Sequence, residues 1–234
     1  ELKVIAANLE KKIKAELERM LKDDREKYET FYAAFGRQLK FGLVSDYGMH
    51  KDLLQDLVEF RSDKEGKDIT LKEYCDAMPE SQKHIYFATG DSAARLSQLP
   101  QTQLLRERGF DVLLMTDEVD SFVPQTLGKY AEKDFRSVTQ EDLGLSTDEE
   151  KKEAAEQAEK SKATLEFVKT TLGDDVKEVR LSENLGTHPV CMVPEEGMTF
   201  EMEKYFKRLN PEMGMKAGRI LELNPNHRLF GLLQ

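Results

Sequence analysis

Apolar residues recur every three or four positions near the start of the chain, which predicts two consecutive helices over residues 1–41. The first stripe runs over residues 2–21, and the second, which is rich in aromatic side chains, runs over residues 28–39. Side chains at this spacing share one face of a helix, so we expect both stripes to pack against neighbouring elements. The pattern also predicts a third helix over residues 49–60 and a turn-rich loop over residues 61–68.

Beyond this loop the pattern changes to short continuous apolar runs separated by helical segments. The runs over residues 84–91 and 110–117 predict buried strands, and residues 92–109 and 118–130 predict the helices that follow them. Continuous apolar strands that alternate with helices are typical of a parallel sheet covered on both faces. We therefore predict a small three-layer αβα unit with a parallel sheet over residues 68–145.

Capping signals mark several of the predicted helix ends. Thr70 is a plausible N-cap with Glu73 as its capping-box partner, and Pro100 interrupts the helical segment that Gly109 closes. Later in the chain, Ser146 or Thr147 begins a long predicted helix.

This long predicted helix continues to Gly173 and changes character along its length. Its first half is almost entirely polar, whereas Leu165, Val168 and Leu172 form an apolar face in its second half. A helix of this kind is typical of a connection between domains. We place a domain boundary near residue 145.

Three short strands are predicted over residues 176–182, 188–194 and 218–224, with a helix over residues 199–209 between the last two. They predict a small α+β domain over residues 146–234. The predicted fold class is therefore α/β plus α+β. A helical segment over residues 1–60 leads into the αβα unit, and the long helix joins that unit to the C-terminal domain.

Composition restricts the class of protein. The 234 residues carry 35 basic and 45 acidic side chains, a net charge of −10, which argues against nucleic acid and anionic membranes as partners. No apolar run approaches the roughly 20 residues that span a bilayer. Cys75 and Cys191 lie far apart without a CxxC pattern, which suits a reducing compartment and provides no zinc site. Both ends of the sequence lie inside apolar patterns, so we expect a piece of a longer protein.

Acidic residues at the ends of the two buried strands are the first candidates for chemistry. The stretch after the second strand contains three of them, Asp117, Glu118 and Asp120, and the first strand ends in Thr89, Asp91 and Ser92. Carboxylates at neighbouring strand ends can hold Mg²⁺, so one hypothesis is a phosphoryl-transfer or receiver-like domain that uses Asp91 and Asp117. The alternative is that these side chains cap the following helices. We identify no catalytic or metal-binding pattern among the histidines and glycines.

Methionine is concentrated near the predicted helix over residues 199–209. Five of the nine methionines lie there: Met192, Met198, Met202, Met213 and Met215. The helix also carries more apolar residues than one buried face requires. Because methionine is flexible and polarisable, the cluster indicates either core filling or an adaptable surface for other polypeptides.

Several stretches together resemble the heat-shock protein 90 family of chaperones, and most closely its bacterial high-temperature protein G branch. The resemblance covers nearly the whole chain and is carried by "DDREKYETFYAAFGRQLKFG", "TLKEYCDAMPESQKHIYFATGDS", "RERGFDVLLMTDEVDSF", "GDDVKEVRLSENLGTHPVCMV" and "RILELNPNH". It implies the end of a middle domain followed by most of a C-terminal domain. It also implies a cytoplasmic stress-response protein whose full-length form binds ATP and Mg²⁺ in an absent N-terminal domain and pairs with a second copy. This fragment would neither hydrolyse ATP nor dimerise tightly.

The resemblance also implies two places where client polypeptides bind. Carried over to this sequence, they comprise Phe122, Val123 and Gln125, then Met198, Met202, Tyr205 and Phe206. Two features depart from the family: Pro124 lies in the first turn of a predicted helix, and many bacterial members have a bulkier aromatic residue at the position of Phe122. A third hypothesis is a structural spacer whose methionine-rich helix is buried. Exposure of Met202 and Phe206 distinguishes the chaperone from the spacer.

Overall fold

A computed structural model describes residues 2–233 and confirms the two initial helices. They are α1 (Leu2–Asp23) and α2 (Arg25–Val44). Asp24 begins α2, because its carboxylate accepts a hydrogen bond of 3.3 Å from the backbone N–H of Lys27. Leu17 and Met20 of α1 are buried against Tyr28 of α2, as the stripes predict. The earlier part of the first stripe is exposed, at Ile5, Leu9 and Ile13, so its predicted packing is wrong for that half of α1.

A six-stranded mixed sheet forms the centre of the first unit. Its strands are β1 (Glu59–Ser62), β2 (Asp68–Thr70), β3 (Ile85–Thr89), β4 (Leu113–Met115), β5 (Lys129–Tyr130) and β6 (Lys133–Ser137). In the order β2-β1-β4-β3-β6-β5, β3 runs parallel to β4 and β6, and the other pairs are antiparallel. The parallel pair predicted from the apolar runs is therefore confirmed, but a wholly parallel sheet is wrong because two hairpins extend the edges.

Helices cover both faces of this sheet, which confirms the three-layer arrangement. They are α3 (Lys51–Leu54), α4 (Leu71–Asp76), α5 (Ala93–Ser97), α6 (Pro100–Glu107) and α7 (Val123–Leu127). Ile85 and Phe87 of β3 are buried on the face that includes α2 and α7. Tyr86 and Ala88 are buried on the opposite face with residues of α5 and α6. Alternate side chains of a strand point to opposite faces, so a continuous apolar run is what a sheet covered on both sides requires.

The helix predicted over residues 49–60 is wrong for most of its length. Only α3 is helical there, and the chain enters β1 at Glu59. Strand β1 is held by backbone pairing with β2 and β4, which lie farther along the sequence. Pairing over such distances does not appear in local periodicity, which is why the sequence pattern predicts a loop over residues 61–68 between two helices and not a hairpin.

The hairpin of β5 and β6 also lacks a signal in the sequence pattern, because "KDFRS" contains one apolar residue. By contrast, the local capping predictions are confirmed. Thr70 and Glu73 form a capping box at α4, and Gly109 follows α6 with a positive φ of 80°.

The predicted long helix consists of two helices, α8 (Asp148–Lys160) and α9 (Lys162–Leu172). Thr147 caps α8 in a capping box with Glu150, and the break lies at buried Ser161. The apolar face of α9 packs on a second core that contains Val176 and Val179. The predicted contrast between a polar first half and an apolar second half is thus confirmed.

The last part of the chain forms a three-stranded sheet with one long helix, as predicted. Its elements are β7 (Glu178–Leu181), β8 (Val190–Pro194), α10 (Phe200–Leu209) and β9 (Arg219–Leu223). The strands lie in the order β7-β9-β8, with β9 parallel to β7 and antiparallel to β8. Within residues 2–233, no helix combines the length and apolar composition needed to cross a lipid bilayer.

Candidate functional site

The two segments predicted to bind other polypeptides meet in the folded chain. Phe122 ends a 3₁₀ helix (Glu118–Phe122) that follows β4, while Tyr205 and Phe206 lie on α10, which belongs to the other sheet. The Phe122 ring lies edge-on to the other two, with centroid separations of 5.3 Å to Tyr205 and 5.9 Å to Phe206. We call these three residues the aromatic junction. The sequence placed them at two separate sites, and the fold unites them.

Polar contacts surround the aromatic junction. The Gln125 side-chain amide donates a hydrogen bond of 3.2 Å to the carbonyl oxygen of Gly197, just before α10. Arg208 of α10 forms an ion pair with Glu118 of the 3₁₀ helix. Lys204 of α10 lies 3.8 Å from the Asp91 carboxylate, measured from nitrogen to oxygen. These contacts hold α10 against the first unit.

A groove of about 480 Å³ lies beside the aromatic junction. Its apolar lining comprises Phe41, Val44, Val119, Phe122 and Tyr205, and its polar lining comprises Arg37, Gln38, Asp117 and Glu118. We call it the junction groove. Phe41 is 60% exposed and extends the apolar surface onto α2. The sequence analysis missed Phe41 because it lies beyond the aromatic stripe that packs in the core.

The predicted binding residues differ in exposure. Val123 is 0% exposed and Met202 is 3% exposed, so neither side chain is available on the surface in this conformation. Phe122, Met198, Tyr205 and Phe206 are half-buried, and Gln125 is exposed. The chaperone hypothesis expects Met202 and Phe206 to be exposed, and the spacer hypothesis expects them to be buried. Met202 is buried and Phe206 is half-buried at the surface, so each hypothesis is met at one of the two positions.

Lys40 of α2 anchors the 3₁₀ helix that carries Phe122. Its ammonium nitrogen lies 2.9 Å from a carboxylate oxygen of Asp117 and 2.9 Å from one of Asp120. Arg37 adds a contact of 3.1 Å to Asp117. The other Asp120 oxygen accepts a hydrogen bond of 3.1 Å from the backbone N–H of Asp117, which closes the start of the 3₁₀ helix.

This environment shifts the pKa values of Asp117 and Asp120 in opposite directions. Burial raises the pKa of Asp120 to about 6, although the Lys40 ammonium opposes the increase. Burial acts in the same direction on Asp117, but Lys40 and Arg37 outweigh it, so the pKa of Asp117 lies below its ordinary value. This network is structural because it uses the charges of the acids to fix one helix against another.

The phosphoryl-transfer hypothesis is not supported by this arrangement. Asp117 is engaged by cations of α2, and Asp91 lies 3.4 Å from Arg95 and 3.8 Å from Lys204. Across residues 2–233, no group of three or more His, Cys, Asp or Glu side chains is placed to hold a metal ion. The capping alternative describes these strand ends better, since the Ser92 hydroxyl accepts a hydrogen bond of 3.4 Å from the Arg95 N–H.

Comparison with solved structures supports the α/β fold. A structure described as the middle domain of a Plasmodium falciparum heat shock protein superposes with a TM-score of 0.55 at 27% sequence identity. The superposition covers 59% of this chain and 58% of the other.

Sequence comparisons extend over the whole chain. Chaperone protein HtpG of Bacillus subtilis (strain 168) is 49% identical over 234 residues, and that of Halalkalibacterium halodurans is 45% identical over 234 residues. Each alignment covers 100% of this chain but only 37% of the relative, so the chain spans 37% of the length of these relatives. A family model described as Hsp90 protein matches residues 1–234. This complete match, together with the two relatives, shows that the chain belongs to the Hsp90 family of chaperone proteins.

Proposed function

We propose that this chain is the part of a heat-shock chaperone that binds partly folded client polypeptides at the aromatic junction and the junction groove. The observation that carries the proposal is the meeting of Phe122 with Tyr205 and Phe206 across two units, beside a groove that Phe41, Val44 and Val119 help to line. Neither unit alone provides this surface, which brings together the two segments that the family resemblance implies.

The chemistry of the surface suits partners of variable sequence. Aromatic rings offer large apolar areas at a small cost in conformational entropy, and half-buried rings remain accessible to a partner along one side. Met198 lies half-buried near the start of α10, and its flexible side chain can adapt to different shapes. The charged rim of Arg37 and Glu118 keeps the surface hydrated until a client covers it.

We place the remaining functions of the family outside this chain. The chain spans 37% of the length of its relatives. ATP and Mg²⁺ binding, ATP-driven closure and tight pairing with a second copy are therefore proposed for the full-length protein in the cytoplasm. Within this chain we propose that the end of the middle domain occupies residues 1–145 and most of the C-terminal domain occupies residues 146–234.

Removing either side of the aromatic junction should weaken client binding. We expect the chain to bind a destabilised model client with a dissociation constant between about 1 μM and 1 mM, measured by NMR or fluorescence titration. Phe122→Ser and Phe206→Ser should each weaken binding at least about tenfold, because each removes an aromatic contact with the apolar client. Both substitutions are at half-buried positions, so the folded state should survive.

Phe167→Ser is the matched control for this test. Phe167 is 63% exposed on α9 and lies outside the junction, so its replacement removes the same type of side chain without touching the site. Met202→Ser is unsuitable, because Met202 is buried and its replacement tests folding instead. Equal weakening by all three serine variants at unchanged melting temperature would show that binding is unspecific and would remove the proposal.

A further inference from the structure

Helix α10 lies against the surface at which a client would bind. Its Tyr205 and Phe206 contact the Phe122 ring, and its Arg208 pairs with Glu118 at the rim of the junction groove. The segment therefore presents two adjacent aromatic residues, followed two positions later by a base, to an aromatic residue and an acid of the first unit.

The attachment of α10 differs on its two sides. Toward its own sheet, the Glu203 carboxylate accepts a hydrogen bond of 2.8 Å from the Ala217 N–H and lies 3.1 Å from the Arg219 guanidinium. Toward the first unit, the Arg208–Glu118 and Lys204–Asp91 pairs are exposed. Exposed ion pairs contribute little to stability and are screened by salt, so the polar part of the contact with the first unit is weak, and the aromatic junction supplies the rest of it.

A glycine with a positive φ lies on each side of α10. Gly197 precedes α10 with φ 94°, and Gly214 follows it with φ 62°. Glycine adopts this region without steric cost and also reaches other regions easily, so both connections can change conformation. A helix whose charged contacts on one side are exposed and which has a glycine at each connection is suited to reversible release.

We propose that α10 acts as an intramolecular latch that occupies part of the client surface and competes with clients that resemble it. The proposal rests on the proposed client-binding function and adds its regulation and its substrate class. The preferred clients are segments in which two adjacent aromatic residues are followed by a basic residue. Release of the latch exposes the inner faces of Phe122, Tyr205 and Phe206, and it frees the Glu118 carboxylate for the base of the client.

The state of the latch can be measured without any client. The chain contains no tryptophan, so Phe122→Trp introduces a single indole at the junction, which can be excited selectively over the tyrosines. In that background we compare Glu118→Arg, Arg208→Glu and the double reversal. Each single reversal places like charges together and should move the emission to longer wavelength, because the indole gains contact with water. The double reversal restores an ion pair and should return the emission to its starting position.

Binding is then measured in the same charge series without the tryptophan. The probe is a labelled peptide of residues 199–209 with the change Arg208→Gln, which leaves two acids and two bases in the peptide. Both single reversals should tighten peptide binding by about two- to fivefold, the range expected for an exposed ion pair, and the double reversal should restore the original affinity. The two reversals change the local charge in opposite directions, so only release of the latch moves both affinities the same way.

The peptide that keeps arginine tests the client class. It should bind Arg208→Glu more tightly than the glutamine peptide does, and this preference should disappear in Glu118→Ala/Arg208→Glu, which lacks the rim acid. Opposite shifts in the two single reversals, or an unchanged tryptophan emission, would overturn the latch. If emission shifts as expected but no variant binds a client or a peptide, the latch exists and the proposed function fails instead.

Discussion

Lys40→Met should destabilise the chain by about 3–5 kcal/mol at neutral pH. Lys40 is 4% exposed, and its ammonium group is the cation nearest to Asp120, which is 1% exposed. Methionine preserves most of the apolar stem but leaves a buried carboxylate without its counter-charge. Breaking a buried pair from one side is costly because the remaining charge has neither water nor a partner. Chemical unfolding followed by circular dichroism measures the loss.

Lowering the pH should reduce the loss of stability in Lys40→Met. Burial raises the folded-state pKa of Asp120 to about 6 even with Lys40 present, and removal of that cation raises it further. A carboxyl group whose pKa is higher in the folded state than in the unfolded state binds its proton first in the folded state. The folded variant therefore gains stability relative to the unfolded chain as the pH falls from about 7.5 to about 5.5. The deficit of Lys40→Met relative to the original chain should become smaller over that interval.

Lys40→Met/Asp120→Asn is the matched control for the charge argument. Asparagine keeps an oxygen that can accept the Asp117 N–H but carries no charge, so the double variant should recover more than half of the lost stability. Such recovery assigns the loss to an unpaired charge rather than to packing against Phe60, whose ring centroid lies 4.6 Å from the Lys40 nitrogen. A deficit that is the same at both pH values, with no recovery in the double variant, would refute the electrostatic explanation.

Local signals in the sequence predict the helices and their ends, and pairing over long distances explains what they miss. Thr70, Thr147 and Gly109 act within a few residues, so their capping roles are visible in sequence and are confirmed in the fold. Strand β6 is held by its backbone pairing with β3, its neighbour in the sheet, whose paired residues lie fifty positions earlier in the sequence. Its own side chains carry almost no strand signal.

In the candidate site too, the sequence identifies residue types but not the contacts that depend on long-range packing. The residue types at Phe122, Tyr205 and Phe206 were identified from the sequence, but their contact depends on how two sheets pack together. The burial of Met202 was equally invisible, because an amphipathic helix with apolar residues on more than one face does not indicate which face is covered. The role of Lys40 depends on acids 77 and 80 positions away, a separation that no local pattern reports.

Tyr74 is a second position where one buried polar group supports the fold. Its hydroxyl donates a hydrogen bond of 2.6 Å to the Asp111 carbonyl oxygen and accepts bonds of 2.8 Å from the Gln82 amide and 3.0 Å from the Tyr86 N–H. Pairing of β3 with β4 begins only at Phe87, so at Tyr86 the hydroxyl takes the place of a strand partner. One phenol thereby connects α4, β3 and the residues that enter β4.

Tyr74→Phe should therefore destabilise the chain by about 2–3 kcal/mol, because the Tyr86 N–H remains buried without an acceptor. The ring stays, so no cavity forms, and the loss reports the hydroxyl alone. Hydrogen exchange should accelerate at the Tyr86 amide more than at Phe87, whose strand pairing is retained. Tyr86→Phe is the matched control: its hydroxyl makes one buried bond, of 2.6 Å to the Leu143 carbonyl, so its loss should cost about 1 kcal/mol. Equal losses for the two phenylalanine variants would mean that water or a shifted strand supplies the acceptor for Tyr86, and that the position of β3 does not depend on α4.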